Sequence, residues 1–161
     1  MKWANFLHIY QPAGQQPDIL AAIVAQSYRP ILEGIRDHKN IRLTFNINGA
    51  LLELFDKYKY HDLIDMLRQA GEEGRLEFTG SAKYHAFLPF LSPEEIIRQV
   101  RTNSETLAYF LGRENKVKGF FPPEMGYDSQ LPAIIESLGF EWIIFDEIAY
   151  TGMPGHVDYT K

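Results

Sequence analysis

The stretch GFFPPEMGYD, residues Gly119 to Asp128, sets a glutamate directly behind two prolines. Proline supplies no ladder donor and resists a central strand position, so an apolar run that meets Pro122 and Pro123 ends there. Glu124 is then expected just past the carboxyl end of a buried strand, on backbone that the prolines hold rigidly. A fixed carboxylate suits glycosyl transfer. One carboxylate lies close to the anomeric carbon, a second carboxyl protonates the leaving oxygen, and aromatic or hydrogen-bonding side chains hold the sugar hydroxyls. Glu124 is the candidate for the first role; the plainer reading makes it a charge favouring the dipole of a following helix.

Other residues suit the remaining roles. In LHIYQP, His8 and Gln11 stand three positions apart with Tyr10 between them, so that an imidazole and a carboxamide can converge on one ligand as donor and acceptor. His85, in SAKYHAFLP, is a further candidate for holding a hydroxyl, the alternative being a loop histidine packed on Tyr84 and Phe87. Glu77 falls inside an apolar run, where strand alternation points it either toward a barrel axis or toward helices. Asp146 and Glu147 follow the last apolar run, and either can supply a second carboxyl. Adjacent residues on an extended segment point opposite ways, so only one faces the site, and Asp146 is carried as the candidate.

The elements that must position these groups follow from periodicity. Strand-like runs occur at Trp3–His8, Ile41–Asn46, Leu76–Thr79, Lys118–Phe121 and Trp142–Phe145, with helical patterns between them. The first intervening stretch carries an apolar helical face from Ile19 to Ile35, with Pro30 as a kink or restart. The second reads as two shorter helices, stopped by Gly74. Ser92, Pro93 and Glu95 form a capping-box start for a helix over 93–111 that Gly112 ends, and DSQLPAIIESLGF gives another capped helix closed by Gly139. Alternating strands and helices imply an α/β fold with a mostly parallel sheet, whose ligand site lies at the strands' carboxyl ends. Each of the five predicted strand ends carries polar or ionisable residues.

Composition narrows the function classes. With 161 residues, 45% of them hydrophobic, the chain suits one domain with a sizeable core. A formal net charge of −5 without a basic stripe argues against nucleic acid as a partner. There is no cysteine for a disulfide, a thiolate nucleophile or a cysteine zinc site. The amino terminus lacks the pattern of a secretory signal, and no apolar run approaches the roughly 20 residues of a membrane helix. The expectation is a cytoplasmic protein without a membrane partner.

Taken in order, LHIYQP, LEFTGSAKYHAFLP, GFFPPEMGYD and WIIFDE resemble the amino-terminal catalytic region of glycoside hydrolase family 57, the retaining α-glucan amylases, glucanotransferases and branching enzymes. The resemblance covers nearly the whole chain, which is read as one amino-terminal part of a glycoside hydrolase domain over residues 1–161. It implies a parallel β/α barrel of the seven-stranded type and a double-displacement mechanism without metal or cofactor. It puts the nucleophile at Glu124 and pocket-lining groups at His8 and Gln11, and aligns the second motif on the block from Glu77 to His85. Where family members often carry Trp-Leu-Pro-Glu, this chain has Phe121-Pro122-Pro123-Glu124, so the aromatic neighbour differs, and Phe121 is carried as a substrate-binding candidate. Two further features depart from the pattern. No Asp-Gly-Glu tripeptide, the family's general acid/base motif, occurs here, and about five strands are present of the expected seven. An open arc favours association with a second copy or with the remaining barrel segment. The competing readings are a non-catalytic carbohydrate-binding fragment and a metal-dependent polysaccharide deacetylase, which also uses an α/β barrel.

Overall fold

The computed structural model describes residues 4–113 and 116–155, so Trp3 and the last six residues of the chain lie outside the described residues. Five strands, β1 (Phe6–Ile9), β2 (Leu43–Ile47), β3 (Leu76–Gly80), β4 (Gly119–Phe120) and β5 (Trp142–Ile143), form one sheet in sequence order. Every neighbouring pair is parallel. The crossovers are helical: α1 (Pro17–Ile23) and α2 (Arg29–Asp37), then α3 (Gly49–Lys57) and α4 (His61–Glu72), then α5 (Pro93–Leu111), then α6 (Leu131–Ser137). A short α7 (Glu147–Thr151) follows β5. The sheet is an incomplete β/α barrel that leaves β1 and β5 as edges.

Period-2 alternation sorts the strand residues between two faces. Ile9, Phe45, Ile47, Leu76 and Phe78 point outward into a core shared with Leu20, Leu32, Leu51, Phe55, Leu63 and Leu107 of the helices. Full burial of each such side chain contributes about 1.5–3 kcal/mol. Phe120 points outward into a second cluster with Leu88, Ile96, Val100, Leu131 and Ile135. The alternate residues share the axial face. Register sets Phe6 beside Thr44 and Glu77, and His8 beside Asn46 and Thr79.

The helices start and stop largely where local chemistry dictates. Ser92 Oγ accepts from Glu95 N at 3.4 Å, and α5 runs from Pro93 to Leu111 before Gly112 turns to φ 91°. Gly74 and Gly139 adopt φ of 65° and 89° after α4 and α6, a left-handed conformation that a side chain would oppose. Pro30 produces a local widening. Residues Val24–Tyr28 form a π-turn in which Arg29 N reaches back to Val24 O, and α2 restarts with Pro30 in its first turn, where the missing N–H leaves no bond broken. The amino end of α3 is satisfied from another element, since the buried Asn103 of α5 accepts from Gly49 N at 2.7 Å.

Two expectations change. β4 and β5 are shorter than their apolar runs, because Pro122 turns the chain away from the ladder, although Phe121 N still donates to Gly80 O at 2.9 Å. The stretch after Phe145 forms α7, whose N-cap is Asp146; Oδ1 accepts from Ile148 N at 2.8 Å and Ala149 N at 3.2 Å. Among the described residues no helix is long and apolar enough to cross a membrane.

The β4–β5 contact is close enough to test. A Cβ on Gly119 would lie 2.0–2.3 Å from ring carbons of Trp142, whereas one on Gly14 would meet nothing within 4 Å. Gly119→Ala should therefore lower stability by about 1–3 kcal/mol, the usual overpacking range. Gly14→Ala should leave the urea midpoint within error of the parent. Equal midpoints for the two variants would show that Trp142 is not held against β4.

Candidate active site

The carboxyl end of β4 carries the most strained backbone of the site. After Pro122 the chain makes a single turn, with Met125 N bonded to Pro122 O at 2.9 Å and Gly126 N to Pro123 O at 3.0 Å. Within it Glu124 sits at φ 56°, ψ 22° and Met125 at φ 51°, left-handed values that cost about 1–2 kcal/mol per non-glycine residue. His85, in the loop after β3, also has φ 56°. Three of the four described non-glycine residues with such backbone thus meet here, and strain of this kind persists only where the surroundings impose it. The surroundings are visible: Phe87 packs so closely on Gly126 that a Cβ there would come within 2.6 Å of its ring.

The turn projects the Glu124 carboxylate, 75% exposed, beside the nearly buried His85, whose Nε2 donates to Oε1 at 3.1 Å. The His85 ring stacks on Tyr10 at 4.4 Å and on His8 at 5.0 Å between centroids, so it packs on β1 rather than on Tyr84 and Phe87. His8 in turn contacts Phe121 at 5.2 Å, and Phe121 contacts Phe6 at 4.9 Å. The result is one file of rings bridging the ends of β1, β3 and β4. Below it, His8 Nδ1 lies 2.7 Å from Asn46 Oδ1, and Asn46 Nδ2 donates to Thr79 Oγ1 at 2.8 Å. A cleft of about 420 Å³ opens against this file, lined by His8, Tyr10, Tyr28, His85 and Glu124 with aliphatic neighbours.

Environment tunes two of these groups. His8 is exposed on its open side and packed on the other by the rings of His85 and Phe121. Desolvation by that packing pushes its pKa below the ordinary 6.5; the Asn46 hydrogen bond opposes this, the nearby His85 adds to it, and the Glu124 charge opposes it. Burial raises the Tyr10 phenol. At neutral pH the cleft therefore presents a neutral His8 imidazole and a neutral Tyr10 phenol beside Glu124.

The remaining sequence candidates stand apart. Gln11 does not line the cleft: Nε2 donates to Tyr28 OH at 2.9 Å and Oε1 accepts from Gln15 at 2.6 Å, while Tyr28 OH donates to Tyr10 O at 3.2 Å. Gln11 thus steadies a wall residue. Glu77 points toward the axis, two residues below Thr79, with Thr44 Oγ1 at 3.5 Å as its partner. Asp146 is committed to capping α7. Asn46 and Thr79 stand among the polar strand ends that the sequence places on the rim, where neither carries an individual role; the register makes them the axial neighbours of His8. Tyr28 is a contributor that the sequence reading missed. Tyr28 reaches the cleft from the π-turn, which no local pattern foretells.

Residues 8–159 match the profile of Glycosyl hydrolase family 57. The chain belongs to that family. It is 25% identical over 146 residues to an α-amylase of Pyrococcus horikoshii, covering 89% of this chain and 22% of the amylase. Identity to a 4-α-glucanotransferase of Thermococcus kodakarensis is 27% over 150 residues, covering 91% and 22%. The chain therefore spans about a fifth of the length of these relatives. The crystal structure of a 4-α-glucanotransferase from Thermococcus litoralis superposes with a TM-score of 0.85 at 23% identity, over 98% of this chain and 24% of that one. That likeness shows the fold, and it agrees with the reading of the sheet as five strands of the family 57 barrel.

The lowered His8 pKa links this cleft to stability. Between the folded-state value and 6.5 the unfolded chain binds more protons than the folded one, so stability rises with pH through that window and levels off above 6.5. The His8 ring proton should titrate with a midpoint below 6.5 by NMR. His8→Asn should flatten the pH dependence of the urea midpoint in the same window. A His8 midpoint at or above 6.5 would contradict the packing described here.

Proposed function

We propose that this chain forms the nucleophile-bearing wall of a retaining α-glucan active site, of the hydrolytic or transglycosylating kind. The observation that carries the reading is the left-handed turn that delivers Glu124 into the ring-lined cleft and against His85. The resemblance of the segment around Glu124 to the family's nucleophile motif supports it, as do the activities of the relatives, α-amylase and 4-α-glucanotransferase.

The chemistry would run as a double displacement. The Glu124 carboxylate attacks the anomeric carbon, the bond to the leaving oxygen breaks with its electron pair on that oxygen, and a carboxylic acid about 5–5.5 Å from the nucleophile supplies the proton. Water or a sugar hydroxyl then displaces Glu124 with the same group acting as base. His85 steadies the nucleophile, and the face of Tyr10 offers apolar surface to a pyranose ring, whereas Phe121 is buried against His8 and Phe6 and does not line the cleft. Among the described residues Glu124 is the only carboxylate lining the cleft. General acid assistance is worth about 10²–10⁴-fold. On its own, then, this chain should turn over natural glucans poorly while still attacking a substrate whose leaving group needs no proton. The same solitary carboxylate favours, as second reading, a chain that binds glucan without turning it over.

A 2-fluoro α-glucosyl fluoride separates the two readings, since fluoride leaves unprotonated. Peptide mass spectrometry should find the sugar on Glu124 and nothing on Glu124→Gln. Maltoheptaose hydrolysis should remain at least 10²-fold slower than expected for a complete site. A folded chain that binds maltoheptaose and never takes the label is a binding protein, and the nucleophile assignment then fails.

A further inference from the structure

We infer that Asn46 is a positioning residue that fixes the His8 imidazole with its proton on Nδ1, so that Nε2 meets the cleft as a hydrogen-bond acceptor. Neither the family match nor the relatives assign a role to this side chain. Asn46 is fully buried on the axial face of β2, and its amide is held at both ends. Oδ1 faces His8 Nδ1 at 2.7 Å, and Nδ2 donates to Thr79 Oγ1 at 2.8 Å. An amide oxygen can only accept, so the ring nitrogen opposite it must carry the hydrogen. In a neutral imidazole the other nitrogen is then a lone-pair acceptor. Desolvation, which holds His8 below its ordinary pKa, keeps that lone pair free at neutral pH.

The consequence is a choice of ligand chemistry. An Nε2–H tautomer would donate into the cleft and suit a carbonyl or an ether oxygen. The Nδ1–H tautomer instead accepts, and with the Glu124 carboxylate it gives the cleft two acceptors that favour a hydroxyl donor. This deepens the proposed glucan reading, because pyranose hydroxyls are such donors, but the tautomer itself does not depend on that reading. The parallel register enforces the arrangement. His8, Asn46 and Thr79 are directly paired across three adjacent strands, so no side chain has to reach.

Long-range proton–nitrogen NMR on the whole chain reads the tautomer directly. The expected result is a protonated Nδ1 and an unprotonated Nε2 for His8 at pH 7.5. A protonated Nε2, or exchange between both forms, would mean that the amide is reversed, and the inference falls. In Asn46→Leu, which offers no acceptor, the proton should move to Nε2 while the His85 signals stay put; an unchanged Nδ1–H form would show that something other than Asn46 fixes the ring. Should that variant fail to fold, Thr79→Val frees only the far end of the amide and should give a mixture of tautomers, whereas a pure Nδ1–H form there also counts against the relay. A merely structural asparagine would alter stability in either variant and leave the tautomer alone.

Maltoheptaose added to the parent chain should shift the His8 Nε2 signal, and Asn46→Leu should bind it about tenfold more weakly or less, the worth of one neutral hydrogen bond. An Nδ1–H tautomer with no response to maltoheptaose upholds the role of Asn46 and counts against the glucan reading instead.

Discussion

The parallel pairing of β1, β2 and β3 in one register is the constraint on which the site rests. A slip of a single residue would exchange the faces of a strand, sending His8 or Asn46 into the helical core and Ile9 or Phe45 onto the axial face. The register is held from outside, by the buried phenylalanine and aliphatic side chains that alternate with the polar row and lock β2 and β3 against α3, α4 and α5. Packing on one face of the sheet therefore fixes hydrogen bonding on the other. The polar row adds its own selectivity, because a buried asparagine without partners costs more than any single apolar contact returns.

The second half of the site obeys a different logic. Glu124 and His85 lie on loops, where no ladder dictates position, and both adopt backbone angles that a free chain would avoid. What holds them is contact: Phe87 against Gly126, Tyr10 and His8 on either side of the His85 ring, and the hydrogen bond from His85 to Glu124. A ring pair contributes only about 0.5–1.5 kcal/mol. The left-handed turns are therefore supported by several modest contacts, of which the two ring stackings on His85 presuppose a correctly placed β1. Dependence runs from strand register to ring file to carboxylate.

This order explains what could be read from the sequence. Strand and helix order, the capping of α5 by Ser92, the glycine stops and the position of Glu124 past a strand end are local signals, and local chemistry decides them. The family motifs lie on the same segments. Asp146 shows the limit of that method: an aspartate ahead of a short helix carries an N-cap signal as plain as any catalytic one, and the capping use is the one observed. Gln11 illustrates another, since proximity to His8 along the chain says nothing about the direction of a side chain just past the strand end. Asn46 and Thr79 were legible as polar strand ends but their roles were not, and Tyr28 was missed altogether, because these roles lie in pairing across elements; the left-handed turn at Glu124 was hidden behind prolines that announce only that a strand stops.

The openness of the arc bears on how affinity and chemistry are divided. On the proposed reading, substrate faces meet Tyr10, His8, His85 and Glu124, all on the wall formed by β1, β3 and β4. The carboxylic acid that a retaining reaction requires must stand across the scissile bond from the nucleophile, which places it on the facing wall. Glu77 and Asp146 do not stand there: one lies lower on the same axial face and the other caps a helix. Ring contacts and the His8 acceptor are equally available to ground state and transition state, so they raise occupancy without lowering the barrier. On that reading the groups that would stabilise the transition state selectively are Glu124 on this wall and a proton donor opposite. A lone arc can accordingly retain most of its binding contacts and still lose most of its rate.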